Sequence, residues 1–237
     1  MRVLVVTAVE AEASAVAGPS CGDGRPGALP GGYALLRSGP LDVLVAGVGP
    51  AAAAAGTATA LAVAGPGAYG LVVSAGIGGG FPGRAPVASL VVADAIVAAD
   101  LGAETPDGFT PVDALGFGRA VHHPPAALSA RLARETGAVH APVLTVSTVT
   151  GTAGRAAELT ARHPRAAAEA MEGFGVAEAA VAHGLPVCEI RAVSNPVGPR
   201  DRAAWRIGDA LAALGGAFGR LVPVLRAHPP PSRPESS

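Results

Sequence analysis

The chain has 237 residues, half of them apolar, with 18 acidic and 17 basic side chains and a net charge of −1. That length can bury a full core as one large α/β domain, read here as residues 1–227, and the near-neutral balance gives no basic field for a polyanion. With only 3% aromatic residues there is little on which unpaired bases could stack, so nucleic acid is not expected as a partner.

Met1 and Arg2 lead straight into the strand-like run Val3 to Val6, followed by Glu10 and Glu12, a pattern too short and too acidic for a signal peptide. No apolar segment is read as spanning a bilayer, so no membrane partner is expected and a cytoplasmic location is. Cys21 and Cys188, without a CxxC or a histidine pair, indicate neither a disulfide framework nor a zinc site. No cofactor and no metal are expected.

In chain order, residues 2–8 read as a buried strand and 9–17 as a short helix, with Glu10 and Glu12 at the junction. Residues 18–32, rich in Gly and Pro, read as a loop; 33–37 and 41–46 form a strand pair around Ser38-Gly39-Pro40. Gly47-Val48-Gly49-Pro50 then opens an alanine helix over 51–64. A strand, GxG and a helix invite comparison with the dinucleotide fingerprint, but no Asp or Glu ends the next strand to hold a ribose, and Pro50 removes a donor. The motif is read as a tight turn that lets the helix pack on the sheet.

The next strand, 70–74, ends in a second glycine loop, Gly76 to Gly80, whose backbone amides, those of Gly78 and Gly79 included, can approach a small ligand. A strand over 89–97 leads into a polar, turn-rich region holding Asp100, Glu104 and Asp107. His122 and His123 point in different directions with no third ligand suitably spaced, which argues against a metal there. A helix over 126–136 and a strand over 141–146 follow, the latter released into Ser147 to Thr152, with Thr150 inside this polar segment. Then come a helix at 153–162, a central strand ending at Met171-Glu172, a helix from Gly173 to His183, a strand over 187–193 and a final helix over 203–225. Residues 228–237, rich in Pro and Ser, read as a disordered tail.

The alternation of strands and helices predicts an α/β fold, a three-layer αβα arrangement around a central mixed, largely parallel sheet with helices on both faces. Four strands end in polar or glycine-rich segments, and one cleft at the carboxyl ends of the strands explains all four. At two of these ends the residue-level reading stays open: Glu172 either serves a ligand or caps the helix behind it, and Asn195 either faces a ligand or caps a turn.

Val5-Val6-Thr7-Ala8-Val9-Glu10-Ala11-Glu12, Gly47-Val48-Gly49, Ser74-Ala75-Gly76-Ile77-Gly78-Gly79, Met171-Glu172 and Arg191-Ala192-Val193-Ser194-Asn195, in that order, resemble the nucleoside phosphorylase and nucleosidase superfamily over roughly residues 1–225. Residues 99–109, Met171-Glu172-Gly173-Phe174-Gly175 and residues 194–202 with Trp205 look most like the futalosine hydrolase family of the alternative menaquinone pathway. The resemblance implies a phosphorylase/hydrolase-like fold and hydrolysis of an N-glycosidic bond, futalosine giving hypoxanthine and dehypoxanthinylfutalosine. It also implies a homodimer or higher homo-oligomer acting on a small nucleoside and water.

By the same resemblance Glu12 activates water, with Glu10 the competing choice, and Arg191 helps to orient that water. Glu172 grips the ribose and Met171 packs against the sugar. Asn195 stands where related adenine-releasing nucleosidases carry an aspartate that protonates N7. An amide offers one acceptor and one donor, which match the N7–H and O6 of departing hypoxanthine. The stacking aromatic that the family places after Ser147 is absent, leaving Phe174 or Trp205 as substitutes, and Arg200 or Arg202 could meet the benzoate of futalosine. The alternatives are a methylthioadenosine/S-adenosylhomocysteine nucleosidase, opposed by Asn195, a purine nucleoside phosphorylase, opposed by Glu10 and Glu12 where phosphate would sit, and a nucleoside-binding module without catalysis.

Overall fold

A computed structural model describes residues 2–18 and 27–227. Cys21 and the tail read at 228–237 lie outside the described residues.

The apolar run of β1 (Arg2–Thr7) sits between β4 (Leu41–Val45) and β5 (Tyr69–Gly80), parallel to both. Its residues Val3 to Val6 are fully buried, as a strand covered on both faces requires. β5 continues through a parallel pairing with β12 (Val187–Pro196), which runs antiparallel to β6 (Leu90–Ala98). β10 (Val139–Thr145) is parallel to β6, and β11 (Ala168–Ala170) is parallel to β10. On the other flank β3 (Ala34–Ser38) and the short β2 (Gly27–Ala28) add antiparallel strands, and β9 (Val121–His122) pairs with β6. The sheet is mixed, as expected, with helices on both faces. α1 (Glu10–Ala17), α3 (Ala126–Thr136) and α6 (Ile207–Arg226) cover one side, and α2 (Pro50–Ala64) and α5 (Gly173–Ala182) the other. α4 (Ala153–Arg162) adds Leu159 to a smaller third cluster.

The segment Gly76 to Gly80, read from sequence as a loop, is strand. β5 runs twelve residues, and its far end turns to pair antiparallel with β11, Glu169 opposite Gly79 and Ala168 opposite Gly80. This pairing joins β5, β12, β6, β10 and β11 into a closed ring. Glycine is needed for close approach: a Cβ on Gly78 would stand 2.7 Å from the Glu169 carbonyl oxygen, and one on Gly80 would stand 2.1 Å from that of Ala85.

Two other expectations change. The turn-rich region after β6 holds an antiparallel hairpin, β7 (Gly102–Thr105) with β8 (Gly108–Pro111). The final helix starts at Ile207, after a separate 3₁₀ turn at Arg202–Ala204. Residues Arg202–Arg226 are long and apolar enough by composition to cross a bilayer, a length the sequence reading did not see. In the fold Leu214, Ala217, Phe218, Leu221 and Leu225 bury this helix's apolar face against the sheet. The Gly47 to Pro50 turn is as read: Gly47 and Gly49 take positive φ, and α2 and α5 pack so closely that a Cβ on Gly175 would stand 2.0 Å from the Pro50 carbonyl oxygen.

Cys188 is fully buried in β12, and burial pushes its thiol up to about 12. Since the thiolate is the reactive species, Cys188 should resist a thiol reagent at pH 8 in the native protein and label in full on denaturation. Mass mapping of its peptide after each treatment checks this.

Candidate active site

The carboxyl ends of β1, β5, β10, β11 and β12 meet around one cavity of about 250 Å³. Glu12, Gly78, Gly79, Thr150, Met171, Glu172 and Asn195 all line it. The structure therefore brings together seven of the nine residues predicted for the site.

Glu12 is the third residue of α1 and folds back over the helix start. Its Oε2 accepts the backbone N–H of Ala8 (2.9 Å) and Val9 (3.3 Å), while Oε1 accepts that of Ile77 (2.8 Å). Donors unpaired at the start of a helix are thereby satisfied, and the carboxylate is fixed in one pose, 4% exposed. Glu10, two residues earlier, is exposed and does not reach the cavity.

Glu172 occupies the N-cap position of α5, but its side chain makes no capping bond. It turns instead to the N–H of Gly49 (3.3 Å), its neighbour's N–H at Met171 (3.3 Å) and Nη1 of Arg191 (3.0 Å). The GxG turn thus presents an amide to a carboxylate of the site itself.

Arg191 is the largest fully buried side chain among the described residues. Its Nε donates to Glu189 (2.9 Å), Nη1 to Glu172 and Nη2 to the hydroxyl of Ser74 (2.9 Å). Burial alone would lower its pKa; the charges of Glu189, Glu172 and Glu12 outweigh burial, and the net shift is upward. The guanidinium stays charged at any working pH. Burial raises the carboxyl of Glu189 against the pull of Arg191.

Sequence reasoning gave no role to Glu189 or Ser74, which with Glu172 aim Arg191. Both sit inside apolar strands; Glu189 was marked only by being polar where a doubly covered strand should be apolar, and Ser74 only by opening a motif of the family resemblance.

Gly76 explains how Glu12 and Arg191 meet. A Cβ there would lie 2.6 Å from Glu12 Oε1 and 2.8 Å from Arg191 Nη1, so both groups converge on the space that glycine leaves open. Gly76→Ala should displace one of them and lower turnover by about 10²-fold, the effect of a displacement of about 1 Å in a catalytic constellation. Steady-state kinetics checks this, with circular dichroism confirming that the fold persists.

Asn195 follows a bulge at Ser194 in the pairing of β12 with β5. Its Oδ1 accepts the Ser194 hydroxyl (2.8 Å), and its Nδ2 donates to the Pro196 carbonyl (3.0 Å). One lone pair and one N–H remain to face the cavity.

A family model described as the phosphorylase superfamily matches residues 2–222. A futalosine hydrolase of Streptomyces coelicolor is 63% identical, covering 98% of this chain and 100% of its own length. Another from Acidothermus cellulolyticus is 47% identical over 92% of this chain and 89% of its own. The chain belongs to the futalosine hydrolase family of that superfamily.

Among solved structures, the native futalosine hydrolase of Helicobacter pylori superposes with a TM-score of 0.77 at 18% identity, covering 94% of this chain and 97% of the other. A methylthioadenosine/S-adenosylhomocysteine nucleosidase from Colwellia psychrerythraea in complex with adenine gives 0.77 at 22% identity, covering 95% and 94%. At these identities the likeness is one of fold.

Two of the nine residues predicted for the site, Phe174 and Arg191, do not line the cavity. Phe174 is buried in α5 with its ring 5.1 Å from that of His122. A helix residue three positions from the buried face of Ala177 points into the core, which leaves Trp205 as the aromatic side chain on the cavity wall. Trp205 does line the cavity, and Arg200 stacks 5.4 Å over its ring. Arg191 reaches the cavity only through Glu172 and the gap at Gly76. Of the loop charges, Asp100 accepts the N–H of Ser147 (2.6 Å) at the base of the cavity loop, whereas Glu104 and Asp107 are exposed on the hairpin.

Proposed function

We propose that this chain hydrolyses the N-glycosidic bond of futalosine, releasing hypoxanthine and dehypoxanthinylfutalosine, as its family membership indicates. The observation that favours water over phosphate is the charge of the cavity. Among the described residues Glu12, Glu169 and Glu172 line it and no Lys or Arg does, while Arg191 directs its donors to Glu189, Glu172 and Ser74. A phosphate dianion would meet carboxylates, whereas water is neutral.

Cleavage passes through a state with cation character on the ribose and negative charge on the departing base. Glu12, held by three amides, accepts a proton from water on the sugar side; Arg191 and Glu12 converge above Gly76, where that water is oriented. Glu172, with a lone pair still free on Oε1, receives a ribose hydroxyl, and Met171 packs on the sugar. The cavity amides of Gly78 and Gly79 lie beneath the purine with Thr150 at its edge. As the C–N bond breaks, the base takes a proton from solvent at N7 while Glu12 keeps the one from the attacking water; Asn195 donates to O6, a bond that strengthens as charge builds on the base, and accepts the N7–H once it has formed. Arg200 does not line the cavity itself; stacked on Trp205, which does, it is the cation proposed to meet the benzoate end of the substrate.

The same proposal takes residues 1–227 as one nucleosidase domain working in the cytoplasm as a homo-oligomer. Leu101, Leu115 and Phe117, the last 81% exposed, give a second copy apolar surface to bury.

The test is to incubate purified protein with futalosine, inosine and methylthioadenosine, with and without phosphate, and to identify the products. Hypoxanthine should appear from futalosine without phosphate. Release only when phosphate is supplied would make the enzyme a phosphorylase, and faster release of adenine would reverse the base assignment.

A further inference from the structure

None of the steps above uses Glu169, yet it lines the same cavity and is only 4% exposed. A carboxylate this buried is costly to keep unless polar groups surround it. Its partners are the backbone N–H of Thr150 (2.8 Å) and the Thr150 hydroxyl, one on each oxygen, so each oxygen keeps a lone pair. Burial raises its pKa, and the two bonds from Thr150 oppose that rise.

The register of the sheet says where those lone pairs are available. Glu169 stands opposite Gly79 across the β11 and β5 pairing, and Asn195 stands opposite the same Gly79 across the β5 and β12 pairing. Directly paired residues project to one face of a sheet, so the two side chains flank Gly79, which has none of its own. A Cβ on Gly79 would lie 2.9 Å from Val197 Cγ2 and 3.5 Å from Asn195 Nδ2, so a side chain there would crowd Val197 on the side where Asn195 stands. The result is a slot about two strand spacings, roughly 10 Å, wide, with an amide on one side and a carboxylate on the other.

We infer that Glu169 reads the far edge of the purine, its carboxylate accepting N1–H of hypoxanthine while Asn195 reads N7–H and O6. This rests on the proposed futalosine reaction and deepens it, because the base is then recognised from two sides. A 6-oxopurine carries a proton at N1 and matches an acceptor-only group. Adenine carries a lone pair at N1, which an ionised carboxylate repels. A site built to accept that N–H rejects the analogue lacking it, since the buried carboxylate is left unpaired. Thr150 holds Glu169 in register for this bond.

The test uses wild-type enzyme first, measuring inhibition of futalosine hydrolysis by hypoxanthine and by 1-methylhypoxanthine, in which a methyl group replaces the N1 proton. Hypoxanthine should bind about 10- to 100-fold more tightly, the range for a hydrogen bond to a charged group. Glu169→Gln keeps an acceptor for Thr150 and removes the charge. It should lower the kcat/KM ratio of futalosine over its 6-amino analogue by a similar factor, an effect that a purely structural role would not produce. Equal inhibition by the two bases, or a loss in Glu169→Gln shared equally by both substrates, would overturn the inference while leaving the futalosine reaction standing. Failure of wild type to release hypoxanthine at all would overturn that reaction and this inference with it.

Discussion

Glu12→Gln is expected to lower turnover of futalosine by about 10² to 10⁴, the range of a lost general base, while leaving substrate affinity within a few-fold of wild type. The residue touches water rather than the nucleoside, so binding through Glu172, Met171 and Asn195 persists. The substitution is isosteric, but all three of its bonds come from backbone N–H groups, at Ala8, Val9 and Ile77. A Gln amide turns its NH₂ toward at least one of these donors and loses that bond. A small loss of thermal stability should therefore accompany the kinetic loss, and an unfolding curve separates the two. Unchanged turnover would remove Glu12 from the water chemistry.

Asn195→Asp is expected to reverse the preference for the base. An ionised aspartate offers acceptors only: it keeps the bond to N7–H, repels O6, and suits the 6-amino group of adenine. The kcat/KM of futalosine should fall by about 10²-fold or more relative to that of its 6-amino analogue, as expected when a hydrogen-bonded partner is replaced by a repulsive one. The variant retains the Ser194 hydroxyl bond but loses the donor to the Pro196 carbonyl, an exposed contact, so folding should be little changed. A ratio identical to wild type would show that Asn195 serves only the turn behind it.

Much of this architecture was legible because it depends on local pattern. The apolar run Val3 to Val6 and the alternation of strands with alanine-rich helices set the layers, and polar residues at strand ends marked the cavity. What was hidden depends on partners distant in sequence. Gly76 to Gly80 carry no side chains from which to read a period, so their pairing with Glu169 and Ala168 could not be seen. Phe174 and Trp205 looked equally suited to stack on a base, and only the packing of α5 sends Phe174 to His122. Glu189 lies in the strand two residues before Arg191, and its purpose appears only when the guanidinium is seen bridging it to Glu172. Glu169 escaped notice for a similar reason: its role comes from Gly79, which belongs to a strand ninety residues away.

Release of a 6-oxopurine by water in this cavity is tested by giving the enzyme an equimolar mixture of futalosine and its 6-amino analogue in phosphate-free buffer and following both bases in one tube. Hypoxanthine should accumulate first, with adenine lagging until futalosine is nearly consumed. Adenine appearing first, or neither base appearing until phosphate is added, would contradict it.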